Sequence, residues 1–451
     1  MDTSSTIKTW WGNFTKPELK KFSLLGGIFS FTIGVYWLLR PIKDGVFNQY
    51  VGAQYIPTAK LVSLVVVIPL VILYSKLVDA FPRQRVFYAL SVIYALIALG
   101  LGVIMMHGHY GFYSSAITPQ AGHADFLGRL IGWVAYTFVE SFGSIMVALF
   151  WAFAADTTTP DAAKRGYPLI AFGAQLGGIL GPLLVATQAE KIGVPYLLLL
   201  ASALMLCIGS MVWYFVRVTP KEELAGYQAT GAHSKPKEKT SFLDDMKLLF
   251  SQKYLLGIFA VITIYEIIVT IFDFYLKYFA SLEYAGGDAY TAYLGAFGVY
   301  TNILAAACIF LGVNNIGRKL GLSVALVVMP VIIGIAALIL AFKPTLAIAF
   351  WIMVFCKGLN YALNQPSKEQ LYIPTTPETK YKVKAFMEMF GSRGSKALGS
   401  VINMVKQFVT SETFILFSTV ASLGMVGVWL YTALYLARTH KQAIAEKRVV
   451  C

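Results

Sequence analysis

The stretch Ser367–Ser400, SKEQLYIPTTPETKYKVKAFMEMFGSRGSKALGS, gathers Lys368, Lys380, Lys382, Lys384, Arg393 and Lys396. The last three run into a segment, from about Val383 to Thr410, apolar enough to cross a bilayer. A cation at bilayer depth costs roughly 2.5 to 3.5 kcal/mol on insertion scales, so it faces a protein interior or a wet cavity and has a task there. Converging ammonium and guanidinium groups hold polyanions, phosphates above all. Along a helix Lys384, Glu388, Ser392 and Lys396 climb one face in steps of about 40°, with Arg393 about 60° from Lys396. Lys380 and Lys382 read as solvated loop charges.

Other polar residues sit where they are expensive. Tyr36, Arg40 and Lys43 are spaced i, i+4, i+7 and share a helix face, with Asp44 beside them. Arg40 and Lys43 either snorkel to the outer headgroups, since Pro41 suggests a nearby helix end, or face inward. Lys60 has the same two readings. Glu140 lies well inside YTFVESFGSIMVALFW. It pairs with a cation on another helix or it titrates. Arg129 projects to nearly the same face but about 16 Å away along the axis, too far to be its partner. Glu266, Asp273 and Lys277, at i, i+7 and i+11, return to within about 20° of one direction, with Thr270 between them. So narrow a polar stripe cannot face lipid along its length and is expected to line a cavity. Asp273 and Lys277 can also pair with each other. Tyr36 and Tyr265 are candidates for stacking on a planar ring. His107, His109 and His123 share one loop but match no metal-site spacing. Cys207, Cys308 and Cys356 read as small core residues. No metal or cofactor is expected.

The elements that position these groups are membrane spans. Of 451 residues, 57% are hydrophobic and only 13% charged, about half the charge of a soluble domain. Apolar runs fall at about 22–40, 56–79, 86–106, 128–155, 167–188, 195–217, 254–280, 290–312, 320–342, 345–365, 383–409 and 412–437. The net charge of +14 lies mostly in alternate short loops, whereas His107 to Asp125 holds no Lys or Arg. That is a topology signal rather than a nucleic-acid groove, and it puts both termini in the cytoplasm. Gly173, Gly177 and Gly181 make a small-residue face for tight helix contact. Residues 218–253 read as a basic cytoplasmic linker, with an amphipathic helix in SFLDDMKLLF. The expected fold is an all-α polytopic membrane protein of twelve transmembrane helices in two six-helix bundles. The bundles are residues 1–217 and 254–437, followed by a cytoplasmic tail, 438–451. Six spans, a linker and six more is a major-facilitator-like layout, in which two bundles rock about a midplane site.

Several longer segments resemble one family. KEQLYIPTTPETKYKVKAFMEMFGSRGSK (Lys368 to Lys396) is similar to the KE-x-x-YIP…TK-x-K-x-KA…GSR-x-GKS stretch of the ATP/ADP translocases, nucleotide transporters of obligate intracellular bacteria and plastids. LLRPIKDGVF (Leu38 to Phe47) resembles its LLR-x-x-KD, and GAQYIPTAKL (Gly52 to Leu61) its GAE-x-IP-x-x-K. Glu140 to Gly177 resembles its ELWGS…FW…EAKR-x-Y, although ELW appears here as Glu140-Ser141-Phe142 and Ala155-Asp156 replaces an Asn-Gln. The resemblance implies a twelve-helix, facilitator-like carrier exchanging ATP for ADP. By position Lys43, Lys60 and Glu140 fall on family charges. Asp273 with Lys277 falls where relatives have V-E-x-x-W-K, and Lys368, Glu369, Lys384, Arg393 and Lys396 match the last motif.

Together these readings assign Arg40, Lys43, Lys60, Lys277, Lys368, Lys384, Arg393 and Lys396 to substrate phosphates. Glu140, Glu266, Asp273, Glu369 and Glu388 balance charge or couple, and Tyr36 and Tyr265 stack the base. Relatives that import NTP or NAD with protons provide one alternative, and a facilitator for another organic anion a second. No nucleophile with its base and no P-loop is present, so neither an enzyme nor a hydrolysis-driven pump is expected. The partners are ATP, ADP and the lipid bilayer, not nucleic acid, with the chain acting as a monomer. The expected location is the inner membrane of an intracellular bacterium, or alternatively the plastid inner envelope.

Overall fold

The computed structural model describes residues 15–114, 117, 125–220, 249–284, 286–311, 321–376, 384, 387, 391–446 and 448–450. In chain order the helices are α1 (Lys16–Tyr50), α2 (Ile56–Ala80), α3 (Arg83–Met106), α4 (Phe126–Asp156), α5 (Pro160–Ile192), α6 (Val194–Val218) and α7 (Lys253–Glu283). They continue with α8 (Gly287–Phe310), α9 (Leu322–Phe342), α10 (Leu346–Leu359), α11 (Gln365–Leu371), α12 (Ser392–Met404) and α13 (Ser411–Ala445). Ten of them, α1 to α9 and α13, are long and apolar enough to cross a membrane. Helix α10 is apolar but shorter, and the segment before α12 is largely outside the described residues. Residues 221–248 of the expected linker, with most of its expected amphipathic helix, and His123 also lie outside them.

The chain forms two compact units, and each borrows from the other half of the sequence. Unit 1 contains residues up to Ala53, Val65–Ala232 and Tyr284–Val299; unit 2 contains Gln54–Leu64, His233–Glu283 and Tyr300 onward. Large apolar side chains such as Val65, Leu96 and Val103 are more than half exposed. On helices with no polar alternative, that is the face a bilayer covers.

In unit 1, α1 is central, packed against α5 most extensively and then α4 and α6. It starts with a capping box: the Thr15 hydroxyl accepts from the Glu18 N–H at 3.3 Å, and Glu18 accepts from the Thr15 N–H at 3.4 Å. Glu18 also binds Arg165 of α5 at 2.6 Å. The glycine row behaves as its spacing predicts. A Cβ on Gly173 would collide with the Gly26 carbonyl oxygen, and one on Gly177 with that of Ser30. Only hydrogen at these positions lets the backbones of α1 and α5 touch. Serines tie other helices together: Ser202 of α6 donates to the Ala95 carbonyl of α3 at 2.8 Å.

The expectation that the first span stops near Pro41 is corrected. Helix α1 continues to Tyr50 with Pro41 inside it, because neighbouring helices in a membrane bundle tolerate the missing N–H that would break an isolated helix. Arg40, Lys43 and Asp44 are therefore mid-helix residues.

In unit 2, α7 is the centre, packed on α12, α13 and α10. Asn403 of α12 donates to the Thr270 carbonyl at 3.0 Å, and Tyr275 shares a 2.6 Å hydrogen bond with Ser418 of α13. The expected tenth span also differs. After Leu359 the helix widens into a π turn, Asn360–Asn364, before α11. Pro366 removes one N–H and crowds the preceding turn, and the Gln365 N–H reaches back to the Asn360 carbonyl.

Candidate functional site

Among the described residues, buried ionic groups gather around Lys43 in unit 1 and around Asp273 in unit 2. In unit 1, Lys43 Nζ donates to Glu140 Oε1 of α4 at 2.5 Å and stands 3.9 Å from Asp44 Oδ1. It also lies 4.3 Å from the centre of the Tyr136 ring, a cation–π contact. Lys43 is buried, so it does not snorkel to the headgroups, and Glu140 is the half-exposed end of the pair. One turn earlier Arg40 covers the Trp37 ring at 4.6 Å and the Tyr36 ring at 5.7 Å. Gly143 on α4 makes room for Tyr36, whose ring occupies the space a Cβ there would need.

In unit 2 the stripe on α7 has inward company. Asp273 Oδ2 accepts from Lys277 Nζ at 2.8 Å, one turn along the same helix, and from Lys60 Nζ at 2.8 Å. Lys60 arrives on the first turns of α2, which belong to unit 2. Lys357 of α10 stands 3.6 Å from Oδ1, an ion-pair distance beyond hydrogen bonding. Thus α2, α7 and α10 each send an ammonium to one buried carboxylate. Lys357 escaped the sequence analysis. Its signal was there: a lysine inside an apolar run, nine residues before Pro366.

Other expected residues spread over unit 2. Lys368 is buried, with Nζ 5.7 Å from the centre of the Tyr265 ring. Tyr265 is itself buried, edge-on to Trp429 at 6.1 Å, its hydroxyl 3.4 Å from the Cys356 carbonyl. Lys384 binds Glu369 at 2.6 Å on a more exposed face and lies 5.6 Å from the Tyr372 ring. Lys396 is exposed, 3.7 Å from Glu266. Arg393 is half-buried on the first turn of α12. Glu388, Lys380 and Lys382 lie outside the described residues. So Lys60, Asp273 and Lys277 come together, joined by Lys357, whereas Lys384 with Glu369 and Lys396 with Glu266 form separate pairs. Among the described residues no group of three His, Cys, Asp or Glu side chains is placed to hold a metal ion.

Comparison with known proteins identifies the family. The profile of the family described as TLC ATP/ADP transporter matches residues 3–440. The chain belongs to that family. Family members are transporters, so this is a membrane transporter and not an enzyme. ADP,ATP carrier protein 1 of Chlamydia muridarum (strain MoPn / Nigg) is 27% identical, the match covering 95% of this chain and 90% of that protein. ADP,ATP carrier protein 2, chloroplastic, of Arabidopsis thaliana is 26% identical over 96% of this chain and 76% of its own length. ADP,ATP carrier protein 1 of Rickettsia prowazekii (strain Madrid E) is 28% identical, covering 89% and 87%. Among solved structures, a POT family transporter in complex with 5-aminolevulinic acid superposes with TM-score 0.64 at 8% identity, over 95% of this chain and 98% of that one. The nucleoside transporter NupG gives TM-score 0.59 at 14% identity, covering 91% and 98%. These likenesses establish a major-facilitator-like fold for the family member in hand.

Proposed function

We propose that this protein exchanges ATP for ADP across a membrane by alternating access, its substrates' phosphates held by buried lysine and arginine side chains. The observation that carries the reading is the convergence of Lys60, Lys277 and Lys357 on Asp273 inside otherwise apolar helices. Cations are retained at such depth for a task, and a nucleoside di- or triphosphate, with about three to four negative charges, needs several of them. The carriers named ADP,ATP that it resembles along most of its length support the same substrates.

On this reading Lys277 and Lys60 are the core of the phosphate site. Arg40, Lys43, Lys368, Lys384, Arg393 and Lys396 contribute to the path or the field. Glu140, Glu266, Asp273, Glu369 and Glu388 balance those cations when substrate is absent, and Tyr36 and Tyr265 contact the base. Twelve spans complete the architecture: six in 1–217, six in 254–437, with the linker, the tail and both termini cytoplasmic. The protein works as a monomer in the inner membrane of an intracellular bacterium.

Counterflow tests the reading. Proteoliposomes loaded with ADP are expected to take up labelled ATP, and empty ones are not. Uptake into empty vesicles that collapses on adding a protonophore makes it a proton-coupled importer instead. Uptake unaffected by excess unlabelled ATP or ADP but competed by another organic anion removes the nucleotide altogether.

A further inference from the structure

Three ammonium groups face the single carboxylate of Asp273. Two sit 2.8 Å from Oδ2 and a third 3.6 Å from Oδ1, the four side chains being 7 to 20% exposed. The Asp273 carboxylate offers these lysines two oxygens and one negative charge. A terminal phosphate group offers a third oxygen and a higher charge. The three lysines come from α2, α7 and α10, so no local helix pairing forces them together. Lys357 occupies the last turn before the π turn at Asn360–Asn364, held by an Asn364-to-Asn360 side-chain hydrogen bond of 2.8 Å. Single π turns inside helices are frequent at functional positions.

We propose that Asp273 is the resident anion of an oxyanion site, displaced from Lys60 and Lys277 by a substrate phosphate, and that Lys357 is the third arm that binds the incoming group. This deepens the exchange reading and rests on it for the identity of the substrate. The carboxylate keeps the empty site assembled by standing where phosphate oxygens bind. When phosphate enters, Asp273 gives up its two short contacts, and Lys357 closes from 3.6 Å to hydrogen-bonding distance of the ligand. When phosphate leaves, the carboxylate returns, so an anion faces the lysines in the occupied site and in the empty one.

The probe is inorganic tripolyphosphate, which carries the anion without the nucleoside, titrated calorimetrically into the purified full-length chain in detergent. Asp273→Asn removes the competitor and is expected to tighten binding by about tenfold. Lys357→Gln is expected to weaken it by at least about tenfold, while Lys357→Arg, which keeps the charge, stays within about threefold of the parent. Weaker or unchanged binding by Asp273→Asn, or parental affinity in Lys357→Gln, overturns the proposal. Should Asp273→Asn fail to fold, the contrast between the Gln and Arg variants at 357 decides alone. A parent protein that shows this binding pattern but no ADP-dependent ATP uptake sinks the proposed exchange and leaves the oxyanion site standing. One that exchanges nucleotides with tripolyphosphate binding indifferent to Lys357 sinks the site and leaves the exchange.

Discussion

Unit 1 buries one lysine between two carboxylates, and unit 2 buries one carboxylate among three lysines. Lys43 with Glu140 and Asp44 sits on α1 and α4. Asp273 with Lys60, Lys277 and Lys357 sits on α7, α2 and α10. The first cluster has enough negative charge for its cation, and the Tyr136 ring beneath Lys43 adds more attraction. The Lys43–Glu140 ion pair ties α1 to α4. In the second the sign is reversed and cations outnumber the carboxylate they share, the balance that suits a visiting anion. On the proposed reading the unit 2 cluster receives a ligand, and the local sign balance is what distinguishes it from the unit 1 cluster.

The comparison breaks most visibly at Lys277. Lys277→Ala is expected to lower ADP-dependent ATP uptake by about two orders of magnitude, because it removes a desolvated charge at 2.8 Å from Asp273. Uptake within twofold of the parent, with the protein folded, would put the substrate elsewhere. In unit 1 the expected signature is stability. Glu140→Gln leaves Lys43 poorly compensated and is expected to cost roughly 2 kcal/mol, reduced from the fully buried case because Glu140 is 36% exposed. Replacing both partners, Lys43→Met with Glu140→Leu, should restore the melting temperature in detergent to near the parent value. If the double variant stays as unstable as the single one, the pair is not the strut described here.

Gly177→Ala sharpens the contrast between a packing contact and a charged one. Its Cβ would run into the Ser30 carbonyl oxygen, so the expected effect is a lower melting temperature, by an amount corresponding to about 1–3 kcal/mol, with the affinity for tripolyphosphate unchanged in the folded fraction. The smallest effect is expected at Lys384, whose pair with Glu369 is 28% and 46% exposed. Lys384→Ala should change stability by less than about 1 kcal/mol. Any larger loss of uptake in that variant then reports on substrate rather than on folding.

Much of the arrangement was legible in the residue pattern because helices have a fixed period. Gly173, Gly177 and Gly181 recur every four residues and had to share a face, and α1 lies against it. Glu266, Asp273 and Lys277 had to form one stripe, and α7 turns Asp273 and Lys277 into buried neighbours. Pro41 misled because proline stops helices in water but not inside a bundle that supplies packing on all sides. Lys357 was passed over because a lone lysine near the end of an apolar run has no periodic partner to announce it. The π turn after it depends on Pro366 and on contacts that no local pattern encodes.

By itself, then, the sequence determined that the chain lives in a bilayer, which of its helix faces are polar, and which family its motifs resemble, since composition, period and motif are properties of neighbours along the chain. Only the tertiary structure decided which charges meet. Lys60 and Asp273 are 213 residues apart, and Lys43 and Glu140 are 97. Their pairing depends on how helices pack, and packing is set by the fit of whole faces, which no single stretch of residues contains.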